Sequence, residues 1–319
     1  MSLKNIIEVL KTKNNFLVTS HINLEGDAIG SQLAIAKLLK TLNKKVVIVD
    51  EDTLPEEYQF LPESNLILTN PGNFNPEVII FVDCSGFDRV GRVIGFIPQN
   101  RIILNIDHHI SNNKFGTVNW IDPKASACVE MIYKIYKAMK IPLNYEAALY
   151  LYTGLLTDTG SFRYSNTTRF SHLMAADLMR FDIPLTKIYR YIYESNRFSD
   201  IKFLSQILPT LKKDKTGRIA WFIAKRKILR KMKTSFDISE NLLNVARSIK
   251  GVDIALVFKE MPHKRIRVNF RSQNINLDVN KLAQYFGGGG HPGASGATIS
   301  GKLSDIERRV LRKAREILV

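Results

Sequence analysis

Arg101-Ile102-Ile103-Leu104-Asn105-Ile106-Asp107-His108-His109 carries an apolar run straight into a carboxylate and two adjacent imidazoles. A short continuous apolar run reads as a strand covered on both faces, as in a parallel sheet. The triplet that ends it offers metal ligands and a proton donor within one turn. A polar loop holding two of the chain's six histidines would look the same, so the triplet decides nothing alone. The surrounding chain repeats the pattern. Phe16-Leu-Val-Thr-Ser-His21, Lys45-Val-Val-Ile-Val-Asp50 and Glu77-Val-Ile-Ile-Phe-Val-Asp83 are apolar runs that end in a polar or acidic residue. Helical patterns lie between and before them: residues 2–12 put Leu3, Ile6, Ile7 and Leu10 on one face, and Leu33, Ile35, Ala36, Leu38 and Leu39 carry another helix. Strands alternating with helices predict an open α/β sheet.

From Ala125 to about Ile192 the pattern is helical, with helices near 125–140, 145–157, 167–181 and 184–195 and boundary prolines at Pro142 and Pro184. Strand patterns return at Arg218-Ile-Ala-Trp-Phe-Ile, Val252-Asp-Ile-Ala-Leu-Val-Phe and Arg265-Ile-Arg-Val-Asn-Phe, with helices expected at 237–248, 278–286 and 304–318. A chain of 319 residues is too long for one small core. The reading is two α/β domains: a larger N-terminal parallel-sheet domain over 1–190, a helical linker over 191–205, and a smaller domain over 206–319.

Hydrophobic residues at 45% and charged residues at 24% are those of an ordinary folded protein. Cys84 and Cys128 form no CxxC pair, which excludes zinc-finger and disulfide frameworks and fits a reducing compartment. No run approaches the ~18 apolar residues of a spanning helix, and the first residues lack a signal-peptide pattern. The expectation is a cytoplasmic protein with no membrane. A formal net charge of +16 favours polyanionic partners such as nucleotides, oligonucleotides or membrane surfaces, although a solvated lysine-rich surface gives the same number.

Three strand patterns end in metal-type side chains: His21 with Glu25 and Asp27 beyond it, Asp83, and Asp107-His108-His109. In open α/β sheets ligands bind outside the carboxyl ends of the strands, where strand order reverses. If these strands are parallel neighbours, the groups share one edge, and carboxylates so close repel unless a cation sits among them. Asp158, in the polar break Leu155-Leu-Thr-Asp-Thr-Gly-Ser161, could supply a further carboxylate. His21, Glu25, Asp27, Asp83, His108 and Asp158 suffice for two ions, with Asp83 as the bridge. Two ions ~3.5–4 Å apart clamp the oxygens of an in-line phosphoryl displacement. Mixed imidazole and carboxylate ligation suits Mn²⁺ better than Mg²⁺. His109 would then face the substrate. Each residue has a plainer reading: His21 as a strand-end histidine, Asp27 as a cap of the helix that follows, Asp158 as part of a helix-end turn.

Together the stretches HINLEGDAIGS, FVDCSGFDRVG, NIDHH, LLTDTGSFRYSNTT and FRSQ…FGGGGHPGASGA resemble the DHH phosphoesterase superfamily, in particular its NrnA-like group of bacterial nanoRNases and 3′-phosphoadenosine 5′-phosphate (pAp) phosphatases. The likeness covers nearly the whole chain. It implies an N-terminal DHH domain, a C-terminal DHH-associated domain with a cleft between them, and Mn²⁺ as cofactor, two ions per site, with Mg²⁺ or Co²⁺ as substitutes. Carried over by motif position, His21, Glu25 and Asp83 would hold one ion, and Asp27, Asp83, His108 and Asp158 the other. Asp107 would orient a histidine from behind the ligands, and His109 would contact the reacting phosphate or protonate the leaving group. The family motif usually reads His-x-x-Pro-Asp-x-Asp, whereas this chain has Leu24-Glu25, whose carboxylate reaches one methylene further.

Phe286-Gly287-Gly288-Gly289-Gly290-His291 reads as a loop whose amides can approach a phosphate without Cβ obstruction; a flexible hairpin connection is the plainer reading. The resemblance implies substrate binding by Gly288, Gly289, Gly290 and His291, with Arg271 as a phosphate partner. Lys225-Arg-Lys…Arg230-Lys-Met-Lys233 could follow a nucleic-acid backbone or form a solvated helix face, and Phe162 and Tyr164 could stack a base or sit in the core. The activity implied is hydrolysis of short oligoribonucleotides to mononucleotides and dephosphorylation of pAp, by two-metal in-line attack of a bridging water. Cyclic di-AMP or pApA phosphodiesterase activity keeps the same chemistry. A nucleotide- or RNA-binding module with degenerate metal sites is the reading of another class. Expected partners are short RNA or nucleotide substrates and, for the chain itself, a homodimer.

Overall fold

The apolar runs of the N-terminal part form one all-parallel sheet: β1 (Asn15–Thr19), β2 (Lys45–Val49), β3 (Ile67–Leu68), β4 (Val78–Val82), β5 (Ile102–Asp107) and β6 (Val118–Ile121), in the order β3-β2-β1-β4-β5-β6. The computed structural model describes residues 3–230, 238–272, 274 and 276–318, and the side chain of His291 lies outside what it describes. The chain divides into two units, Met1–Ser195 and Asn196–Val319.

Alternation along the strands explains why the sheet is covered on both sides. In β4, Val78, Ile80 and Val82 enter a core shared with helices, while Ile79 and Phe81 enter a smaller core with Cys84, Val90 and Val93. The helices of this unit are α1 (Leu3–Thr12), α2 (Gly26–Thr41), α3 (Cys128–Met139), α4 (Tyr145–Asp158), α5 (Arg169–Met179) and α6 (Leu185–Tyr193). Chain order turns back between β1 and β4, so the crevice at their carboxyl ends is the switch point of the sheet.

Helices α2 and α4 approach closely because glycines face each other. A Cβ on Gly30 would stand 2.5 Å from the Tyr150 carbonyl oxygen, and one on Gly154 would stand 3.1 Å from the Asp27 Cα. This contact brings the start of α2, with Asp27, beside the end of α4, with Asp158.

The C-terminal unit is built from α7 (Phe198–Ile207), β7 (Lys212–Lys213), β8 (Ile219–Ala224), α8 (Arg226–Leu229), α9 (Ile238–Arg247), β9 (Ile254–Met261), β10 (Arg265–Ser272), α10 (Val279–Tyr285), β11 (Gly289–His291), β12 (Ala294–Ser300) and α11 (Leu303–Glu316). Its sheet runs β11-β12-β10-β9-β8-β7, with only β8 and β9 parallel. Trp221, Leu256 and Phe258 face α10 and α11, while Phe222, Ala255 and Val257 face α9. The chain is thus α/β throughout, with a six-stranded parallel sheet and a second, mixed sheet.

Several elements differ from the sequence reading. β6 and β12 do not stand out as apolar runs: β6 is only half-buried, and Gly296 interrupts β12. The helical reading of 184–195 ends earlier, at Tyr193, and a separate helix starts at Phe198.

The glycine packing gives a direct test. Gly30→Ala should overpack the α2–α4 contact at a cost of about 1–3 kcal/mol and lower the melting temperature. Gly95→Ala, whose Cβ would meet nothing within 4 Å, should not. Equal melting curves for the two variants would show that the helices do not meet through Gly30.

Candidate metal centre

Each ligand-type side chain is delivered by a strand end or a helix end. His21 follows β1, Asp83 follows β4, and Asp107, His108 and His109 close β5. Asp83 takes a left-handed backbone (φ 54°), tolerated by Asp more readily than by most residues. Its amide donates to the Ile106 carbonyl (3.0 Å), which ties the turn after β4 to β5.

Asp83 is the centre of the cluster. His21 Nε2 lies 3.6 Å from its Oδ2, and His108 Nε2 and His109 Nδ1 lie 3.4 and 3.5 Å from its Oδ1. No described residue makes a hydrogen bond to that buried Oδ1. His108 Nε2 also stands 3.8 Å from Asp27 Oδ2 and 3.7 Å from Asp158 Oδ2. Three carboxylates around one imidazole nitrogen, each too far for a good hydrogen bond, make the donor set and spacing of a cation site. Asp27, His108 and Asp158 offer ligand atoms within 4.8 Å of one another, as do Asp83, Asp107, His108 and His109.

Supporting contacts fix these groups. His21 Nδ1 lies 2.7 Å from the Ile22 carbonyl; donating there leaves Nε2 to face Asp83. Asp27 receives the amides of Cys128 (2.6 Å) and Val129 (2.9 Å) at the start of α3. It therefore serves the N-terminus of a helix about a hundred residues away rather than that of its own. The buried Asp107 binds His109 Nδ1 (2.7 Å) and the His108 amide (2.8 Å) through Oδ1, and Asn112 Nδ2 (2.6 Å) through Oδ2. Asn166 Nδ2 donates to Asp158 Oδ2 at 3.1 Å.

Burial and charge set opposite proton affinities within a few ångströms. Burial pushes Asp27 well above the usual carboxylate range, and repulsion from Asp83 and Asp158 adds to it. Burial likewise raises Asp158 to about 6, with His108 opposing and Asp83 assisting. Burial would raise Asp83 too, but His108 and His21 outweigh it and hold that carboxyl far below its usual range. Burial disfavours the imidazolium of His21, yet Asp83 raises it to about 9. Asp83 does the same for His108, and Asp107 for His109. Without a cation, protons on imidazoles and carboxyls supply the positive charge the cluster needs.

Glu25 stands apart from the tight set. It is exposed at the start of α2, whose N-terminus its side chain does not cap, and its charge is felt by His21 and Asp158. Sequence reasoning missed Asn112, Asn166 and the amides of Cys128 and Val129, because nothing in their spacing marks them as partners. Asp50 was visible as a strand-end acid and had no assigned role. It is buried, accepts from Gln32 Nε2 (2.7 and 2.8 Å) and from the Ser20 amide (3.0 Å), while Ser20 Oγ donates to the Val82 carbonyl (2.7 Å). That pair joins the residue before His21 to the residue before Asp83.

In the C-terminal unit, Arg271 binds Glu240 (2.6 Å) and the Phe270 carbonyl (3.1 Å). The glycine run differs from the loop expected: Gly289–His291 pair with β12 as an edge strand, and a Cβ on Gly288 would fall 2.2 Å from the Gly296 carbonyl oxygen. Close backbone packing is what these glycines permit here. The side chain of His291 and residues 231–233 of the basic run lie outside the described residues. Phe162 stacks on His172 with ring centroids 5.0 Å apart, and the Tyr164 ring lies against Gly160, so both aromatics have partners within the unit.

Residues 15–155 match the DHH family N-terminal domain, and residues 219–318 match the DHHA1 domain. The chain is 28% identical over 319 residues to a bifunctional oligoribonuclease and PAP phosphatase NrnA of Thermus thermophilus, covering 99% of this chain and 94% of that protein. It is 28% identical to the protein of the same name from Bacillus subtilis, covering 92% of each. Its fold matches the crystal structure of an exopolyphosphatase-related protein from Bacteroides fragilis with a TM-score of 0.90 at 24% identity, covering 98% of this chain and 95% of that one. These two domain matches, which take in the parallel sheet, all of the second sheet but β7, and every residue of the acidic and histidine cluster but Asp158, identify the chain as a member of the DHH superfamily of phosphoesterases.

Proposed function

We propose that the protein hydrolyses short oligoribonucleotides to mononucleotides and removes the 3′-phosphate of pAp, using divalent cations, Mn²⁺ foremost, held at the β1–β4–β5 edge. The observation that carries this is the buried Asp83 Oδ1, which lies amid two imidazoles yet accepts no hydrogen bond from a described residue, in a chain whose relatives in Thermus thermophilus and Bacillus subtilis bear the name of that double activity. Mn²⁺ is favoured by the mixed nitrogen and oxygen donors, and the RecJ structure from Thermus thermophilus, of similar fold (TM-score 0.55, 12% identity), was determined with that ion. His21, Glu25 and Asp83 would hold one ion, and Asp27, Asp83, His108 and Asp158 the other. Bound there, the ions would supply Lewis acidity and an activated water.

The chain's own groups carry the rest. Asp27 stays aimed by the two α3 amides, and Asp158 by Asn166. Asp107, anchored by Asn112, turns His109 and favours its imidazolium, so that His109 would give a proton to the leaving oxygen. Arg271 and the Gly288–His291 segment, both on the C-terminal unit, would take substrate phosphate, with Arg271 exchanging Glu240 for the ligand. Residues 191–205 would serve as the connection between the two domains. No described helix is long and apolar enough to cross a membrane, and a cytoplasmic site of action fits substrates of this kind.

With Mn²⁺ present, pAp and a ribodinucleotide should both be turned over, and Asp83→Asn should cut each rate about 10³-fold, roughly 4 kcal/mol of barrier. Substantial turnover by that variant would sink the metal-centred reading, and activity on cyclic di-AMP or pApA alone would move the substrate to signalling nucleotides. Asn112→Leu removes the brace on Asp107 and should lower kcat about 10–100-fold with KM little changed; an unchanged kcat would exclude this role.

Cation affinity should depend on pH with a definite sign. Metal-free His21 keeps its proton up to about pH 9, so binding must displace it. Apparent Mn²⁺ affinity should therefore rise from pH 6 towards 9, about tenfold per unit for each proton displaced, then level off. Calorimetric titration in buffers of different ionisation enthalpy measures the released protons; a flat profile would place the cation elsewhere.

A further inference from the structure

The net charge is not shared between the units. Asn196–Val319 holds 26 Lys and Arg against 10 Asp and Glu, whereas Met1–Ser195 holds 20 of each. The whole excess of +16 thus lies in the C-terminal unit, which a generally lysine-rich composition does not explain. Within that unit one face joins cations to an exposed ring. Tyr285, the unit's single tyrosine, is 59% exposed at the end of α10. Lys313 Nζ lies 4.5 Å from its ring centroid, and Arg309 lies 5.8 Å from that of Phe286, which meets Tyr285 edge-on at 5.0 Å. Lys281 precedes Tyr285 by one turn of α10, and Arg312 adjoins Lys313 on α11; both are exposed. Glu316, 2.7 Å from Lys313, is the acid that meets this cationic row. The glycine strand proposed to take phosphate begins four residues after Tyr285.

We infer that this face, formed by Tyr285, Lys281, Arg309, Arg312 and Lys313, is an accessory binding surface for single-stranded RNA, with Tyr285 stacking a base and the cations following the phosphates. An exposed tyrosine ring beside a row of cations suits sequence-tolerant binding of a single strand, where bases stack on aromatics and the backbone takes the charge. The RNA identity of the strand rests on the hydrolase reading; the aromatic and basic chemistry does not. The surface would let the protein hold an oligoribonucleotide longer than the dinucleotide it turns over.

The test uses the full chain, a fluorescently labelled twelve-residue oligoadenylate, and chelator to prevent hydrolysis, with anisotropy read across a salt series. Binding should weaken at least about fivefold in Tyr285→Ala, recover in Tyr285→Phe, and lose about two units of salt slope in an Arg309→Gln, Arg312→Gln, Lys313→Gln variant. Parent affinity and slope retained in both Tyr285→Ala and the triple variant would overturn the inference. Loss in the triple variant alone, with Tyr285→Ala unaffected, would also overturn it and leave a simple polyanion surface. Turnover of pAp by the parent with Mn²⁺ is measured alongside: its absence, with oligoadenylate binding still sensitive to Tyr285, would sink the hydrolase reading and leave this surface standing.

Discussion

Repulsion among buried carboxylates is the constraint on which the N-terminal unit turns. Asp27, Asp83 and Asp158 converge on the Nε2 of His108 within 3.4–3.8 Å, where burial weakens the screening that water would give. A fold can keep such a group only if something positive is always present. In the absence of a cation that charge is protons: burial pushes Asp27 well above the usual carboxylate range and Asp158 to about 6, while His108 and His21 hold Asp83 far below it. Cation binding at this cluster, as proposed above, would exchange such protons for metal.

The scaffold supplies this convergence through backbone geometry rather than through long side chains. Parallel strands β1, β4 and β5 end together by register, with Val18 beside Ile80 and Ile80 beside Leu104. The carboxylates that do not come from strands arrive on helices held close by Gly26, Gly30 and Gly154. Asp27 then meets the free amides at the head of α3, where a negative charge is favoured by the helix dipole and by unpaired N–H groups. Its burial is thus offset on one side by backbone and on the other by the cation proposed for the site.

Much of this was legible from residues. Val78–Val82 and Ile102–Asp107 announced themselves as doubly covered strands, and His21, Asp83 and Asp107-His108-His109 followed from where those runs stop. The neighbour relation of β1, β4 and β5 did not follow from pattern alone, because alternation fixes which face a residue takes and leaves strand order open. Asn112, Asn166 and the 128–129 amides were invisible for a related reason: their roles depend on contacts across the fold. The glycine run misled in part, since four glycines fit a phosphate loop and a tightly packed edge strand equally well, and the contact with Gly296 becomes evident only when β12 is in place.

Glu25 poses a remaining question of design that geometry helps to frame. The tight set of Asp27, Asp83, Asp158 and His108 stands without it, whereas on the His21 side of Asp83 the ligand proposed to complete the set is this exposed glutamate. A longer, water-facing carboxylate carries more rotamer entropy and less desolvation than a buried aspartate. The two cation positions proposed for the site should then differ in affinity, the one beside His108 being preorganised by buried partners and the one beside His21 being filled later and exchanged faster. Such an asymmetry would let one ion remain with the fold while the other comes and goes with substrate, and it would follow from the different burial on the two sides of the carboxylate proposed to bridge them.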